Sequence, residues 1–221
     1  MKKKGFTPGF IAVIAMFTAL AYVSVIIAKP IPNVAGFLSY EPKDAIIVIA
    51  GLLISPLASA LISLLVSFIE MITISTTGPY GLIMNVLSTC AFAVPAAWIY
   101  HKNRTKKGAV IGLATGVICM VICMLLWNYI ITPLYMKVDR SVVAGMMLSV
   151  FLPFNLIKGG INAGITLLLY KPIVSALRSA KLVEASPAGS EKGKFSAGFF
   201  VFSLAVLATF VLAFLALVGV L

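Results

Sequence analysis

"VFLPFNLIKGGINAGITLLLY", residues 150–170, is apolar enough to lie in a bilayer, yet it holds Asn155, Lys158 and Asn162 near its middle. An ammonium in hydrocarbon is costly, so such a group normally faces a bundle interior or a water-filled cavity and has a partner there. The spacing i, i+3, i+7 puts the three side chains within about 60° of arc, on one helix face. The competing reading has Lys158 snorkelling to the surface. That is awkward for a residue more than ten positions from either end of the apolar run it interrupts. The stretch predicts a transmembrane helix turned toward a polar cavity.

The rest of the chain agrees. It has 221 residues, 62% hydrophobic and 10% charged, with a mean hydropathy of +1.13. Soluble domains average roughly 25% charged residues. The apolar runs are long and continuous, whereas a membrane barrel needs alternating strands of about 10 residues. The expectation is an all-α membrane protein. The net charge of +11 does not point to nucleic acid, because the cations sit in short clusters between apolar runs. "MKKKGFTPGFIAVIAMF" resembles the start of a signal peptide, but no A-x-A-like site follows before "KPIP", so it reads as a retained helix.

Working along the chain, spans are expected over 9–28, 56–74, 81–100, 109–136 and 144–177, with a short helix over 44–54. "ISPLAS" divides the short helix from the next, with Pro56 suited to a first helical turn. Pro133 is expected to bend the fifth helix near its end, and Pro153, Gly159–Gly160 or Pro172 to tilt or break the sixth. Residues 1–180 form one six-helix unit, 181–194 a linker by composition, and 195–221 an additional uncharged span. Cations set the orientation. With the N-terminus inside, the inner segments hold Lys2–Lys4, Lys102, Arg104, Lys106, Lys107, Lys171, Arg178, Lys181, Lys192 and Lys194; the outer loops hold only Lys29, Lys43, Lys137 and Arg140.

Other polar residues carry two readings each. Asn128, Thr132 and Tyr135 share a face at the outer end of the fifth helix, flanked by Trp127 and Tyr129. The aromatics suit a site wall or an interfacial belt. Asn85 lines the cavity or bridges two helices. Glu70 shares a face with Ser63 and Ser67, and either pairs with Lys158 or reaches the outer interface. His101, in a basic loop, reads as solvated. Cys90, Cys119 and Cys123 read as small packing residues, with no metal site. Small-xxx-small pairs at Ala15/Ala19, Gly112/Gly116 and Gly160/Gly164 mark close helix contacts, within the chain or with a partner. No H-E-x-x-H, G-x-S-x-G or Walker A motif is present, which argues against an enzyme.

"FLPFNLIKGGINAG", "LLWNYIITPLYM", "SPLAS" and "FLSYEPKDA" stand in an order and spacing, over about residues 9–177, that resembles the RibU family, the riboflavin-binding S-components of energy-coupling factor (ECF) vitamin transporters. The resemblance implies six transmembrane helices and a first outer loop closing over the ligand. It implies partners as well: one transmembrane coupling protein and two cytoplasmic ABC ATPases, in a bacterial plasma membrane. The S-component would topple to release vitamin inward. Carried over by motif, flavin contacts fall on Asn128, Asn155 and Lys158, and partner docking on Ala15 and Ala19. Two departures stand out. The family's helix 3 often carries a Lys-Asn pair where this chain has Val66 and Ser67, and the span from Phe195 exceeds the usual six.

The residue chemistry suits a flavin. Its pyrimidine-like edge offers two carbonyl acceptors around one N–H donor; Asn amides supply both roles and Lys supplies donors. Phe37, Leu38, Tyr40 and Trp127 supply ring walls, and Asn85, Thr89, Thr132 and Asn162 supply partners for ribityl hydroxyls. Only Lys158 reads as a deep cation, which favours neutral riboflavin over FMN; another vitamin or a roseoflavin-like analogue is the alternative cargo. No cofactor is expected beyond the transported ligand.

Overall fold

Why each helix stops where it does is mostly a matter of proline, glycine and capping side chains. A computed structural model describes residues 8–179 and 197–220. The expected linker at 181–194 lies outside the described residues. The helices are α1 (Pro8–Ala28), α2 (Lys43–Leu53), α3 (Pro56–Thr73), α4 (Gly78–Lys102), α5 (Lys106–Ile130), α6 (Thr132–Met136), α7 (Arg140–Met146), a π-helical turn (Met147–Phe151), α8 (Leu152–Ser179) and α9 (Ala197–Val218). Among the described residues six stretches are long and apolar enough to cross a membrane: α1, α3, α4, α5, the continuous run α7–α8, and α9. With the short α2 they make the expected six-helix bundle plus one.

Local signals explain the boundaries. The Ser55 side chain accepts from the Ala58 amide at 3.1 Å and caps α3, with Pro56 at its first position. Thr105 caps α5 through the Gly108 amide at 3.0 Å. α5 ends at Ile130, ahead of Pro133, and the chain resumes as α6, so the expected bend is a break. Ahead of α8 the helix widens into the π-turn, where the Leu152 amide bonds back to the Met147 carbonyl. Pro153 causes this: with no N–H, it leaves the Ser149 carbonyl without its usual donor. Gly159–Gly160 and Pro172 lie within unbroken α8.

α2 sits at the centre. Nearly all of it is buried, with Ala45, Ile47, Val48, Ile49 and Ala50 at 0% exposure. It packs on α1, α3, α4 and α8. At about 1.5 Å per residue its 11 residues reach only halfway through a hydrocarbon core of about 30 Å. His101, read from sequence as solvated, is half-buried and lies 3.0 Å from the Gly51 carbonyl, one of α2's four unpaired terminal acceptors.

The small-residue pairs separate into two kinds. Gly112 and Gly116 of α5 lie against the Ala96 and Phe92 carbonyls of α4, and Gly160 and Gly164 of α8 lie against Phe210 and Leu207 of α9. Ala15 and Ala19 instead are exposed on the outer face of α1, which packs its other face on α2 and α3.

Candidate functional site

The loop between α1 and α2 folds back over the bundle. Val34 and Leu38 pair their backbones at 2.9 and 3.0 Å around a tight turn in which Ala35 and Gly36 adopt positive φ of 51° and 81°. The second value suits glycine, which carries no Cβ to clash. The turn leaves Phe37 39% exposed with its ring edge-on to Phe151 of the π-turn at 6.0 Å, and leaves Leu38 half-buried. Tyr40 points inward, buried.

Directly after Tyr40 the chain carries Glu41, Lys43 and Asp44 into the bundle, with Lys43 at 0% and Asp44 at 2% exposure. Lys43 Nζ lies 2.5 Å from Glu70 Oε2 of α3 and 3.3 Å from Glu41 Oε2. Lys158 Nζ of α8 lies 3.3 Å from the same Glu41 oxygen and 3.3 Å from Asp44 Oδ2. Neutral groups complete the network: Asn85 donates to Glu70 at 3.0 Å, Thr89 to Asp44 at 2.6 Å, and Asn162 to the Glu41 carbonyl at 3.3 Å. The Tyr40 hydroxyl donates to Asn162 at 3.4 Å. Burial of Glu41 would raise its pKa, but Lys43 and then Lys158 outweigh it and hold the carboxyl at about 2.

The second half of the site is quieter. Asn128 at the end of α5, Thr132 at the start of α6 and Asn155 on α8 are all buried. Thr132 donates to Asn128 Oδ1 at 3.0 Å, and Asn155 Nδ2 donates to the Phe151 carbonyl at 2.8 Å. Asn128 Nδ2 and Asn155 Oδ1 take no hydrogen bond among the described residues. One free donor and one free acceptor therefore stand on two helices that pack together.

The expected cluster on α8 is thus assembled, but Lys158 is already matched by two carboxylates. Glu70 pairs with Lys43 and Asn85, neither with Lys158 nor at the interface. Asn85 bridges α3 and α4 within the network. Trp127 is half-buried against the core, while Tyr129 is exposed under Arg140, its ring 5.4 Å away, which favours the belt reading for Tyr129. Sequence reasoning assigned Lys43 to an outer loop and gave no role to Glu41 or Asp44. A signal was available: a helix too short to span must begin at depth, so the charges on its first turn must be buried.

Residues 10–170 match the family described as "ECF transporter, substrate-specific component". The chain belongs to this family. Among its relatives, the riboflavin transporter FmnP of Bacillus subtilis (strain 168) is 27% identical over 78% of this chain and 97% of its own length. The riboflavin transporter RibU of Staphylococcus aureus (strain TCH60) is 28% identical, covering 75% of this chain and 90% of its own. A solved structure titled "Structure and mechanism of the S component of a bacterial ECF transporter" superposes with a TM-score of 0.63 at 28% identity, over 76% of this chain and 96% of that one. The protein is a multi-pass membrane component of a transporter and not an enzyme. α9 lies beyond the residues that the family covers.

Proposed function

We propose that this S-component binds riboflavin in the space bounded by loop 29–42, α5 and α8. Asn128 leaves one donor free, Asn155 one acceptor and Lys158 its third ammonium proton, and this set of unspent groups on α5 and α8 carries the reading. It complements the carbonyl, N–H, carbonyl edge of an isoalloxazine. Phe37, Leu38, Tyr40 and Trp127 supply the walls. Thr132 and Asn162 supply hydroxyl partners for the ribityl chain, while Asn85 and Thr89, expected from the sequence to do so, are instead held in the charged network by Glu70 and Asp44.

The preference for an uncharged flavin rests on a different argument from the sequence's. Two lysines lie deep, not one, but they face three carboxylates, Glu41, Asp44 and Glu70. A phosphate brought into that neighbourhood meets a net negative cluster, which disfavours FMN.

The cation distribution supports a cytoplasmic N-terminus in a bacterial plasma membrane, with loop 29–42 outside and the C-terminus of α9 on the same side as that loop. Riboflavin would be captured from outside. The exposed Ala15/Ala19 face of α1 suits close approach of a transmembrane coupling protein, itself driven by two ABC ATPases. Titration of purified protein into riboflavin tests the ligand: saturable quenching of flavin fluorescence is expected, with FMN binding more weakly. Unquenched fluorescence at micromolar protein sinks the reading.

A further inference from the structure

α9 packs one face on α8 and leaves most of its other side chains exposed. Only Ser203 and Phe214 along it are buried. Ser203 bonds its own helix at Phe199. Phe214 does something different: its ring stands 6.0 Å from the ring of Tyr40, across a small apolar cluster that joins Val34 of the loop to Phe154, Ile157 and Ile161 of α8. The α8 face beneath is cut away to admit α9. A Cβ at Gly160 would fall within the Phe210 ring, and one at Gly164 would meet the Leu207 backbone at 3.0 Å. The groove therefore fixes α9 at a depth and rotation that bring Phe214 against Tyr40.

Tyr40 is the hinge between the loop's turn and the charged segment that enters the site. Its hydroxyl is tied to Asn162, and the next residue, Glu41, bridges both buried lysines. We propose that Phe214 is a positioning residue for ligand retention: α9, docked in the Gly160–Gly164 groove, braces Tyr40 and so holds loop 29–42 closed over the bound ligand. The bracing itself follows from the contacts of α9, while the retention role rests on the riboflavin reading above. Loss of a brace on a closed lid acts chiefly on dissociation, because opening precedes release.

The test uses full-length Phe214→Ala, with Phe214→Leu as the conservative variant and Leu212→Ala, on the exposed face of α9, as control. Peptide-resolved hydrogen exchange of residues 29–42, in ligand-free protein, reads the brace directly. Phe214→Ala is expected to speed exchange of the Val34 and Leu38 amides by about tenfold, with Phe214→Leu partly restoring protection and Leu212→Ala matching wild type. Stopped-flow release of riboflavin is expected to accelerate about tenfold in Phe214→Ala with little change in the association rate. Unchanged exchange in that loop overturns the proposal. Faster exchange with unchanged release overturns the retention role. Faster exchange in a protein that never binds riboflavin supports the brace and overturns the choice of ligand instead. Gly164→Leu, which blocks the groove while leaving Phe214 in place, is expected to reproduce the exchange phenotype; protection equal to wild type there would also overturn the proposal.

Discussion

The two halves of the site are built on opposite principles. On the α2–α3 side, three carboxylates interlock with two ammonium groups: Glu41 spans Lys43 and Lys158, Asp44 takes Lys158 and Thr89, and Glu70 takes Lys43 and Asn85 through one oxygen. On the α5–α8 side, Asn128 and Asn155 each bond only within their own chain segment and leave one amide atom without a protein partner. An interlocked set of buried charges holds structure together, because removing one member strands the others. Free amide atoms on rigid helices are instead poised for something that arrives. Stability should therefore live in the charged half and affinity in the amide half.

That division can be broken by substitution. The largest effect is expected from Lys43→Met, which strands Glu70 and one side of Glu41 and costs about 3–5 kcal/mol; thermal unfolding in detergent should show a large fall in midpoint or no folded protein. Replacing Lys43 and Glu70 together by Met sharpens the point. With both charges gone the loss should shrink well below that of the single change, and two equal losses would show that the pairing is not what matters.

Asn155→Ala and Asn128→Ala come next. Each is expected to weaken riboflavin binding by about 1–3 kcal/mol, roughly fivefold to 150-fold, by removing a hydrogen bond to the ligand. Their unfolding midpoints should stay within about 2 °C of wild type, since Asn155 bonds one turn back along its own continuous helix and Asn128 only to Thr132 across the short α5–α6 break. A variant that unfolds early but binds normally when folded would reverse the assignment.

The smallest effect is in pH. Glu41 is held at about 2, below the ordinary carboxylate value of 4.5, so its contribution to holding the loop is complete above that ordinary value. It should fade as pH falls from about 4.5 through 2. Glu41→Gln should flatten this portion of the stability profile; an unchanged profile would place the acid sensitivity elsewhere.

Much of this was legible in the chain, for identifiable reasons. Lys158 announced α8 because a cation in an apolar run demands an explanation, and Pro56 announced α3 because proline's fixed φ suits a first helical turn wherever it falls. Glu41, Lys43 and Asp44 escaped because charge density just after "KPIP" reads as a solvated loop, and only the short reach of α2 reveals their depth. Gly160 and Gly164 were visible as a contact surface, but what filled it was not: Leu207 and Phe210 lie far along the chain, and a stripe of apolar residues on an entirely apolar helix has no contrast. The same lack of contrast hid Phe214.

Below the charged half, α2 continues between α3 and α4 so closely that a single methyl at Gly51 would lie 3.0 Å from Ser59 Cβ and 3.1 Å from Ala97 Cβ. Ile47, Ile49, Phe92 and Leu113 close the surrounding space. Among the described residues, the bundle beneath the charged half is therefore packed solid, and no path continues between α2, α3 and α4 from the loop toward the far side.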